Sequence, residues 1–230
     1  SDEPGRAAWA DVKTGDILSA VECVSVRDDV DAGRIGIIGI CGWGGIALNA
    51  AAQDPRIKAT AAITMYDMSR VSGNGYFDAD DSEEKRYSVR KAWAEARTAD
   101  LKNRTFTMAG GVVDPLPENA PQFVKDYHAY YKTPRGYHKR SGNSNDGWRT
   151  NGCQAYANTR FLYYINEIRS AVLIVHGEKA HSRYFGESAF RYMMDGKAEG
   201  FDFVRKPNPV PANKQLLIIP GASHCDLYDG

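Results

Sequence analysis

The stretch that decides the fold is RIGIIGICGWGGIAL, residues 34–48. Its short apolar run is typical of a strand buried in a parallel sheet, and it ends in a group of glycines around one cysteine. IALNAAAQ (46–53) has the small and apolar residues of a closely packed helix, and RIKATAAITMYD (56–67) predicts the next strand. This order of strand, turn, helix and strand predicts a βαβ unit with a right-handed crossover.

Cys41 lies in the turn and is the first candidate for a catalytic residue. A nucleophile at such a junction is backbone-strained and needs small residues two before and two after it, and the following helix lowers the pKa of a thiol there. With Cys41 at the tip, Gly39 fits and Trp43 does not. A frame shifted by two fits the glycines but puts Trp43 at the tip. Three interpretations stay open: a thiol nucleophile, a degenerate turn and a buried core cysteine.

His224 is the candidate base, because KQLLIIPGASHCDLYD (214–229) predicts a strand followed by a loop that carries it. A base on such a loop can reach back to a nucleophile on the turn. The chain order of nucleophile, acid and histidine is that of hydrolase sheets. The alternative is an isolated histidine on a surface loop.

The carboxylate that would orient this histidine is not decided by the sequence. Glu178 follows the strand predicted within VLIVHGEKAHS (172–182), and Asp67 ends the strand before the middle third of the chain. Asp226 lies on the histidine's own loop. Each of these also fits a solvated loop carboxylate or a helix cap. His181 follows directly after the Glu178 segment, where it either lines a pocket or opens the next helix.

The middle third has a different character from the flanking segments. SEEKRYSVRKAWAEARTADL (82–101) predicts a charged amphipathic helix, and NAPQFVKDYHAYY (119–131) predicts an aromatic-rich one. Residues 136–152 are polar and rich in glycine and asparagine, which predicts a loop. The predicted division is a core formed by residues 1–67 and 168–230, with a helical lid inserted over residues 68–167.

The composition excludes several classes of function. Lys+Arg and Asp+Glu are equal at 29 each, so charge favours neither nucleic acid nor an anionic membrane surface. No apolar run approaches the ~20 residues of a spanning helix. The four cysteines lack zinc-ligand spacing and predict reduced thiols in a cytoplasmic protein. The glycines lack the spacing of a dinucleotide site, and no metal or organic cofactor is predicted.

Together these segments resemble the α/β-hydrolase superfamily and, within it, the dienelactone-hydrolase-like proteins. The resemblance covers nearly the whole chain: residues 34–45 resemble the strand and elbow, 172–185 the acid region and 218–229 the histidine loop. It implies an α/β fold with a mostly parallel sheet flanked by helices, and a cysteine nucleophile. The chain departs from the pattern because Gly42 and Trp43 separate Cys41 from the Gly-Gly pair.

The resemblance implies hydrolysis of a small ester, thioester or lactone. Cys41 would attack the carbonyl carbon, His224 would act as general base, and Glu178 or Asp67 would orient the imidazole. The Gly42 N–H would bind the oxyanion. The expected pocket residues are Trp43, His181 and Tyr66. The alternative is a catalytically inactive protein of this fold that is used for binding or self-association.

The resemblance also bears on the length of the chain. Only residues 1–33 precede the predicted elbow strand, whereas proteins of this type usually have several strands there. We therefore expect a fragment that lacks the N-terminal strands of a longer polypeptide. An edge strand left exposed in this way would favour pairing with another chain, which makes a homo-oligomer one expectation.

Overall fold

The structure is a computed structural model and describes residues 9–229. In chain order the strands are β1 (Ile35–Ile40), β2 (Ile57–Ile63), β3 (Met108–Ala109), β4 (Trp148–Arg149), β5 (Ala171–Gly177) and β6 (Lys214–Ile219). The α-helices are α1 (Ala10–Ser25), α2 (Gly42–Gln53), α3 (Met68–Asn74), α4 (Glu83–Asn103), α5 (Gln122–Tyr131), α6 (Gly142–Asp146), α7 (Thr150–Ala157), α8 (Arg183–Asp195) and α9 (Asp226–Asp229).

The centre of the fold is a four-stranded sheet in the order β1-β2-β5-β6, and every neighbouring pair is parallel. The predicted parallel sheet flanked by helices is therefore confirmed. Parallel neighbours need crossover connections, which α2 supplies between β1 and β2 and α8 supplies between β5 and β6. The turns after β1 and after β6 consequently lie at the same end of the sheet, at its two edges.

The hydrophobic core lies between the sheet and the helices α2 and α8. Leu48 on α2 and Tyr192 on α8 are fully buried, as are Ile57 and Ile174 on the central strands. Alternate strand residues point to the other face, where Ile38 is 70% exposed. Among residues 9–229 this second face is therefore the less covered side of the sheet.

The middle third agrees with the sequence in its two long helices and differs from it in the predicted loop. α4 and α5 match the predicted amphipathic segments within a few residues. Residues 136–152 were predicted as loop, but they contain α6, the strand β4 and the start of α7. β4 pairs with β3 in a two-stranded antiparallel ribbon, and such short elements lack a periodic pattern that sequence could show.

The end of the middle third packs against the core. Tyr156 on α7 and the following Phe161 and Leu162 are buried in the main hydrophobic cluster. The division into a core of residues 1–67 and 168–230 and a lid of residues 68–167 stays a prediction. No helix within residues 9–229 is long and apolar enough to cross a membrane.

Candidate active site

Cys41 forms the sharp turn between β1 and α2. Its backbone has φ 58° and ψ −127°, a conformation that residues with a side chain rarely adopt. The turn is held from both sides, because the Cys41 N–H donates to the Ile63 carbonyl and its own carbonyl accepts from the Tyr66 N–H, each at 3.0 Å. Cys41, and not Trp43, is therefore the residue at the tip.

Glycines around the turn allow its close packing. A Cβ at Gly39 would lie 2.3 Å from the carbonyl oxygen of Trp43, and one at Gly45 would lie 2.3 Å from that of Tyr66. Both distances are far below van der Waals contact, so a side chain at either position would force the backbone apart. The sequence requirement for small residues is real, but it applies to positions 39 and 45 rather than to position 43.

Trp43 is not part of the pocket, in contrast to the prediction. Its side chain is 43% exposed, and the Lys13 ammonium lies 5.0 Å from the centre of its ring. The first turn of α2 directs this side chain towards α1 and solvent. A large residue two positions after Cys41 is therefore tolerated without disturbing the turn.

Opposing effects act on the pKa of the Cys41 thiol. The Gly42 N–H and the hydroxyls of Tyr127 and Tyr228 each lower this pKa, because a donated hydrogen bond favours the thiolate. Burial acts in the opposite direction and dominates, so the pKa of Cys41 is raised. The predicted lowering of the thiol pKa by the helix N-terminus is thus outweighed, and the resting group is a thiol.

His224 is buried and bonded through both ring nitrogens. Its Nε2 lies 2.8 Å from the Tyr228 hydroxyl, and its Nδ1 lies 2.7 Å from each of the hydroxyls of Thr64 and Ser182. Burial lowers the pKa of His224 to about 2, with a smaller contribution from His181. The imidazole is therefore neutral at physiological pH, and hydroxyls occupy the place of an orienting carboxylate.

The structure does not bring either predicted acid to His224. Glu178 is exposed and accepts a hydrogen bond from the Gly221 N–H at 2.7 Å. Asp67 is the N-cap of α3, where it accepts from two N–H groups at 2.9 and 3.0 Å. It also lines a separate cavity of about 330 Å³ together with Arg70. Both carboxylates therefore accept hydrogen bonds from backbone N–H groups. This agrees with the alternative interpretation from sequence, a loop carboxylate or a helix cap.

Two of the predicted pocket residues do lie beside the histidine. The Tyr66 hydroxyl bonds the His181 Nε2 and lies 2.9 Å from the Tyr127 hydroxyl. The His181 ring is 5.1 Å from the His224 ring, and burial lowers the pKa of His181 to about 4. Aromatic side chains from the middle third of the chain and from the core pack around these two histidines; they are Tyr66, Tyr76, Phe123, Tyr127, Tyr131 and Tyr228.

Sequence reasoning missed Thr64, Tyr127 and Tyr228 as contributors to the site. Tyr228 follows His224 by four residues, a spacing that places two side chains on one side of a helical turn. Tyr127 lies on α5 with other aromatic residues at helical spacing, which indicated a lid but not its contact with Cys41. Thr64 has φ 45° just after β2, and nothing in its sequence context marks it.

Comparison with known proteins identifies several similar chains. A family model described as acetyl xylan esterase matches residues 8–73, which include β1, the turn and β2. Protein PA2218 of Pseudomonas aeruginosa, named as uncharacterized, is 40% identical over 228 residues, covering 99% of this chain and 56% of that protein. Protein YcjY of Escherichia coli K12, also named as uncharacterized, is 27% identical over 232 residues, covering 99% and 68%.

Two solved structures have a fold similar to that of this chain. The crystal structure of PA2218 aligns with a TM-score of 0.86 at 41% identity, covering 100% of this chain and 66% of that one. The α/β hydrolase GrgF from Penicillium sp. sh18 aligns with a TM-score of 0.70 at 18% identity, covering 99% and 69%. This chain thus spans between 56% and 69% of the length of these proteins. None of these matches is named as a dienelactone hydrolase, so that narrower family stays a prediction.

Proposed function

We propose that this chain, which has the fold of the α/β hydrolases, belongs to that superfamily and hydrolyses a small carboxylic ester, thioester or lactone through an acyl-enzyme on Cys41. The observation that carries the proposal is the backbone of Cys41, held at φ 58° and ψ −127° on the turn before α2. Strain of this kind persists only where the surroundings enforce it, and it places the side chain at the tip of the turn.

The chemistry follows from the groups around the sulfur. The thiol loses its proton to His224 as the sulfur attacks the carbonyl carbon, and the Gly42 N–H donates to the oxyanion. When the tetrahedral intermediate collapses, the proton returns from His224 to the leaving alkoxide, thiolate or ring oxygen. A water molecule then attacks the thioester by the same route, which releases the acid and restores the thiol.

The neutral resting state of both groups shapes this mechanism. A raised thiol pKa and a lowered imidazole pKa make a standing thiolate–imidazolium pair unfavourable. Proton transfer must therefore accompany the attack. An electrophilic acyl group suits such a site, because it needs less negative charge on the sulfur before the bond forms.

The comparisons support a short acyl group. The family model that matches residues 8–73 is described as acetyl xylan esterase, so we propose acetyl esters as the first substrates to test. The aromatic side chains of α5 that pack around His181 and His224 would favour a small apolar acyl or alcohol group. Cytoplasmic location, formation of a homo-oligomer, and the absence of nucleic-acid and membrane partners remain predictions from the sequence.

The test is mass spectrometry of the intact protein and its peptides after a brief mix with 4-nitrophenyl acetate. We expect one acetyl group on Cys41, none on that peptide in Cys41→Ala, and slower acetylation of Cys41 in His224→Asn because the thiol then lacks its base. Cys23 is an internal control, since it is exposed and reports unspecific acetylation of a free thiol. Acetylation of Cys41 no faster than that of Cys23, in folded protein, would contradict the proposal.

A further inference from the structure

The cavity of about 330 Å³ beside Asp67 and Arg70 is separate from the candidate active site. Tyr66 bonds His181 in that site, whereas Asp67, the next residue, lines the cavity. The volume lies at the lower end of the range for small-molecule sites, ~300–1,000 Å³. We propose that the cavity binds a small molecule with one ammonium group on an apolar body, and that Asp67 is the counterion of that group. Such a site does not require Cys41 to be catalytic.

The Asp67 carboxylate is buried, and its two oxygens have different surroundings. Asp67 is 7% exposed, and its Oδ1 accepts from the N–H groups of Ser69 and Arg70 and from the Ser69 hydroxyl. Among residues 9–229 no group donates to its Oδ2. A buried carboxylate oxygen in this state has lost water without gaining a partner, so a donor on a ligand would bind there favourably.

The arginines that line the cavity form no ion pair with Asp67 within the described part of the chain. Three arginines line it, and each is paired with a different aspartate. The pairs are Arg70–Asp78, Arg86–Asp81 and Arg160–Asp202. With Asp67 ionised, these three positive and four negative groups have a net charge of −1, which one cationic group on a ligand would balance.

Arg70 is the buried arginine of the three, and every nitrogen of its guanidinium already donates. Its Nε and Nη2 donate to the two carboxylate oxygens of Asp78, and its Nη1 lies 3.1 Å from the Ser188 hydroxyl and 3.5 Å from the Glu199 carbonyl oxygen. A Cβ at Gly200 would lie 2.0 Å from the Arg70 Cζ, so the backbone at this glycine packs directly on the guanidinium. An anionic ligand would have to displace these partners, whereas a cation at Asp67 displaces none.

Aromatic side chains provide the apolar part of the cavity. Phe161, Phe201 and Phe203 line it. Phe201 stacks on Tyr192 at 4.2 Å between ring centroids and lies 5.7 Å from Phe203, so both rings have packing partners that hold them in place. The apolar body of a ligand can pack against these rings, and the face of an aromatic ring also attracts a cation. One buried carboxylate beside aromatic rings therefore favours an amine over a neutral or anionic molecule.

An ammonium group would also favour the ionised form of Asp67. Burial raises the pKa of the Asp67 carboxyl, and this effect outweighs the hydrogen bonds from Ser69 and Arg70, which lower the pKa. A positive charge close to Oδ2 acts in the same direction as these hydrogen bonds. The ligand thus offsets the cost of keeping a carboxylate away from water.

The experiment uses benzylamine, which carries one ammonium group at pH 7, as the probe of the cavity. Benzyl alcohol and benzoate are the matched neutral and anionic probes, and isothermal titration calorimetry measures the binding of each to the full chain. We expect benzylamine to bind at one site and benzyl alcohol to bind about tenfold more weakly or less, because a hydrogen bond to a charged group contributes that much to affinity. Benzoate should bind more weakly than either.

The first variant removes the charge of Asp67. Asp67→Asn keeps a side chain that can cap α3 and should weaken the binding of benzylamine about tenfold or more, to the level of benzyl alcohol. Asp31→Asn is the matched control, because Asp31 also accepts from a nearby backbone N–H, that of Gly33 at 2.9 Å, and does not line the cavity. It should leave the affinity for benzylamine unchanged.

The second variant keeps the carboxylate and fills the cavity. Gly73 lies on α3 and lines the cavity, and a Cβ there would lie 3.8 Å from the Ala157 carbonyl oxygen, an ordinary contact. Gly73→Leu should therefore fold and should prevent the binding of benzylamine and of benzyl alcohol. Circular dichroism and thermal unfolding show whether each variant is folded, and Gly73→Leu tests the cavity even where Asp67→Asn fails to fold.

The possible outcomes separate the proposal from its alternatives. Tighter binding of benzoate than of benzylamine would overturn it and assign the cavity to an anion. Unchanged binding of benzylamine to folded Asp67→Asn or Gly73→Leu would show that the amine binds elsewhere. Wild type that binds no benzylamine at millimolar concentration would contradict the proposal as well. Acetylation of Cys41 is measured separately, so failure of the proposed hydrolysis is distinct from failure of this site.

Discussion

The Cys41 turn and the His224 loop follow the two edge strands of one sheet, and their key residues are held in place in different ways. At the Cys41 turn the backbone fixes the position of Cys41. The residue has a strained conformation, two peptide hydrogen bonds join it to the end of β2, and glycines allow close contact. At the His224 loop the position of the imidazole is fixed by side-chain hydroxyls, two from distant parts of the chain and one from the residue four positions after His224. A site can thus keep the geometry of its nucleophile while the partners of its base are replaced.

The largest expected effect tests the turn. Gly45→Ala should lower the free energy of unfolding by about 3 kcal/mol, because the new Cβ would lie 2.3 Å from the Tyr66 carbonyl oxygen and the helix must shift. Gly15→Ala is the matched control within α1, where nothing lies within 4 Å of the added Cβ. It should stabilise the protein by about 0.5 to 1 kcal/mol. Urea denaturation measures both, and a similar effect of the two substitutions would contradict the close-packing argument.

The next effect tests the base. Ser182→Asp places a carboxylate at the Nδ1 of His224, which should raise the pKa of the imidazole above its present value of about 2. The stronger base should accelerate acetylation of Cys41 by about tenfold or more, since an orienting aspartate has a large effect in serine hydrolases. Ser182→Asn is the control of equal size without charge. Equal rates in the two variants would contradict this prediction, because a negative charge beside Nδ1 would then have no effect on the base.

The smallest effect at pH 7 concerns the histidine side, whose contribution to stability changes only at acid pH. His176, His181 and His224 are held neutral, with pKa values of about 3, 4 and 2 in the folded protein, chiefly through burial. Unfolded imidazoles bind protons from about pH 6.5 downwards, so stability is fully present above that pH and falls as the pH decreases towards these values. Each histidine contributes a slope of up to about 1.4 kcal/mol per pH unit.

His176 allows the pH-dependent contribution of a buried histidine to stability to be measured apart from the candidate active site. Its ring nitrogens are buried without a partner among the described residues, and its ring packs against Gly186. His176→Leu should therefore keep or raise stability at pH 7 and reduce the slope between pH 5.5 and 4 by about 1.4 kcal/mol per pH unit. Thermal unfolding at a series of pH values measures this, and an unchanged slope would show that His176 is already protonated in the folded state.

Prediction from sequence succeeded for the structural features that depend on chain order and on backbone conformation. The apolar run before Cys41, the glycines after it and the alternation of strands and helices are local patterns, and they were sufficient for the parallel sheet and the turn. Trp43 was misjudged, because whether a large side chain clashes depends on the direction in which α2 leaves the turn. Glu178 and Asp67 were candidates by position alone, and each is engaged by a nearby N–H group.

The sequence by itself determined the α/β architecture, the candidate nucleophile and the histidine loop, because each of these is encoded in contiguous residues with a periodic or turn-forming pattern. Only the tertiary structure decided which groups surround the histidine. Thr64, Ser182 and Tyr228 meet at His224 from segments up to 160 residues apart. Contacts of that kind depend on crossover connections and on side-chain packing, to which no local pattern corresponds.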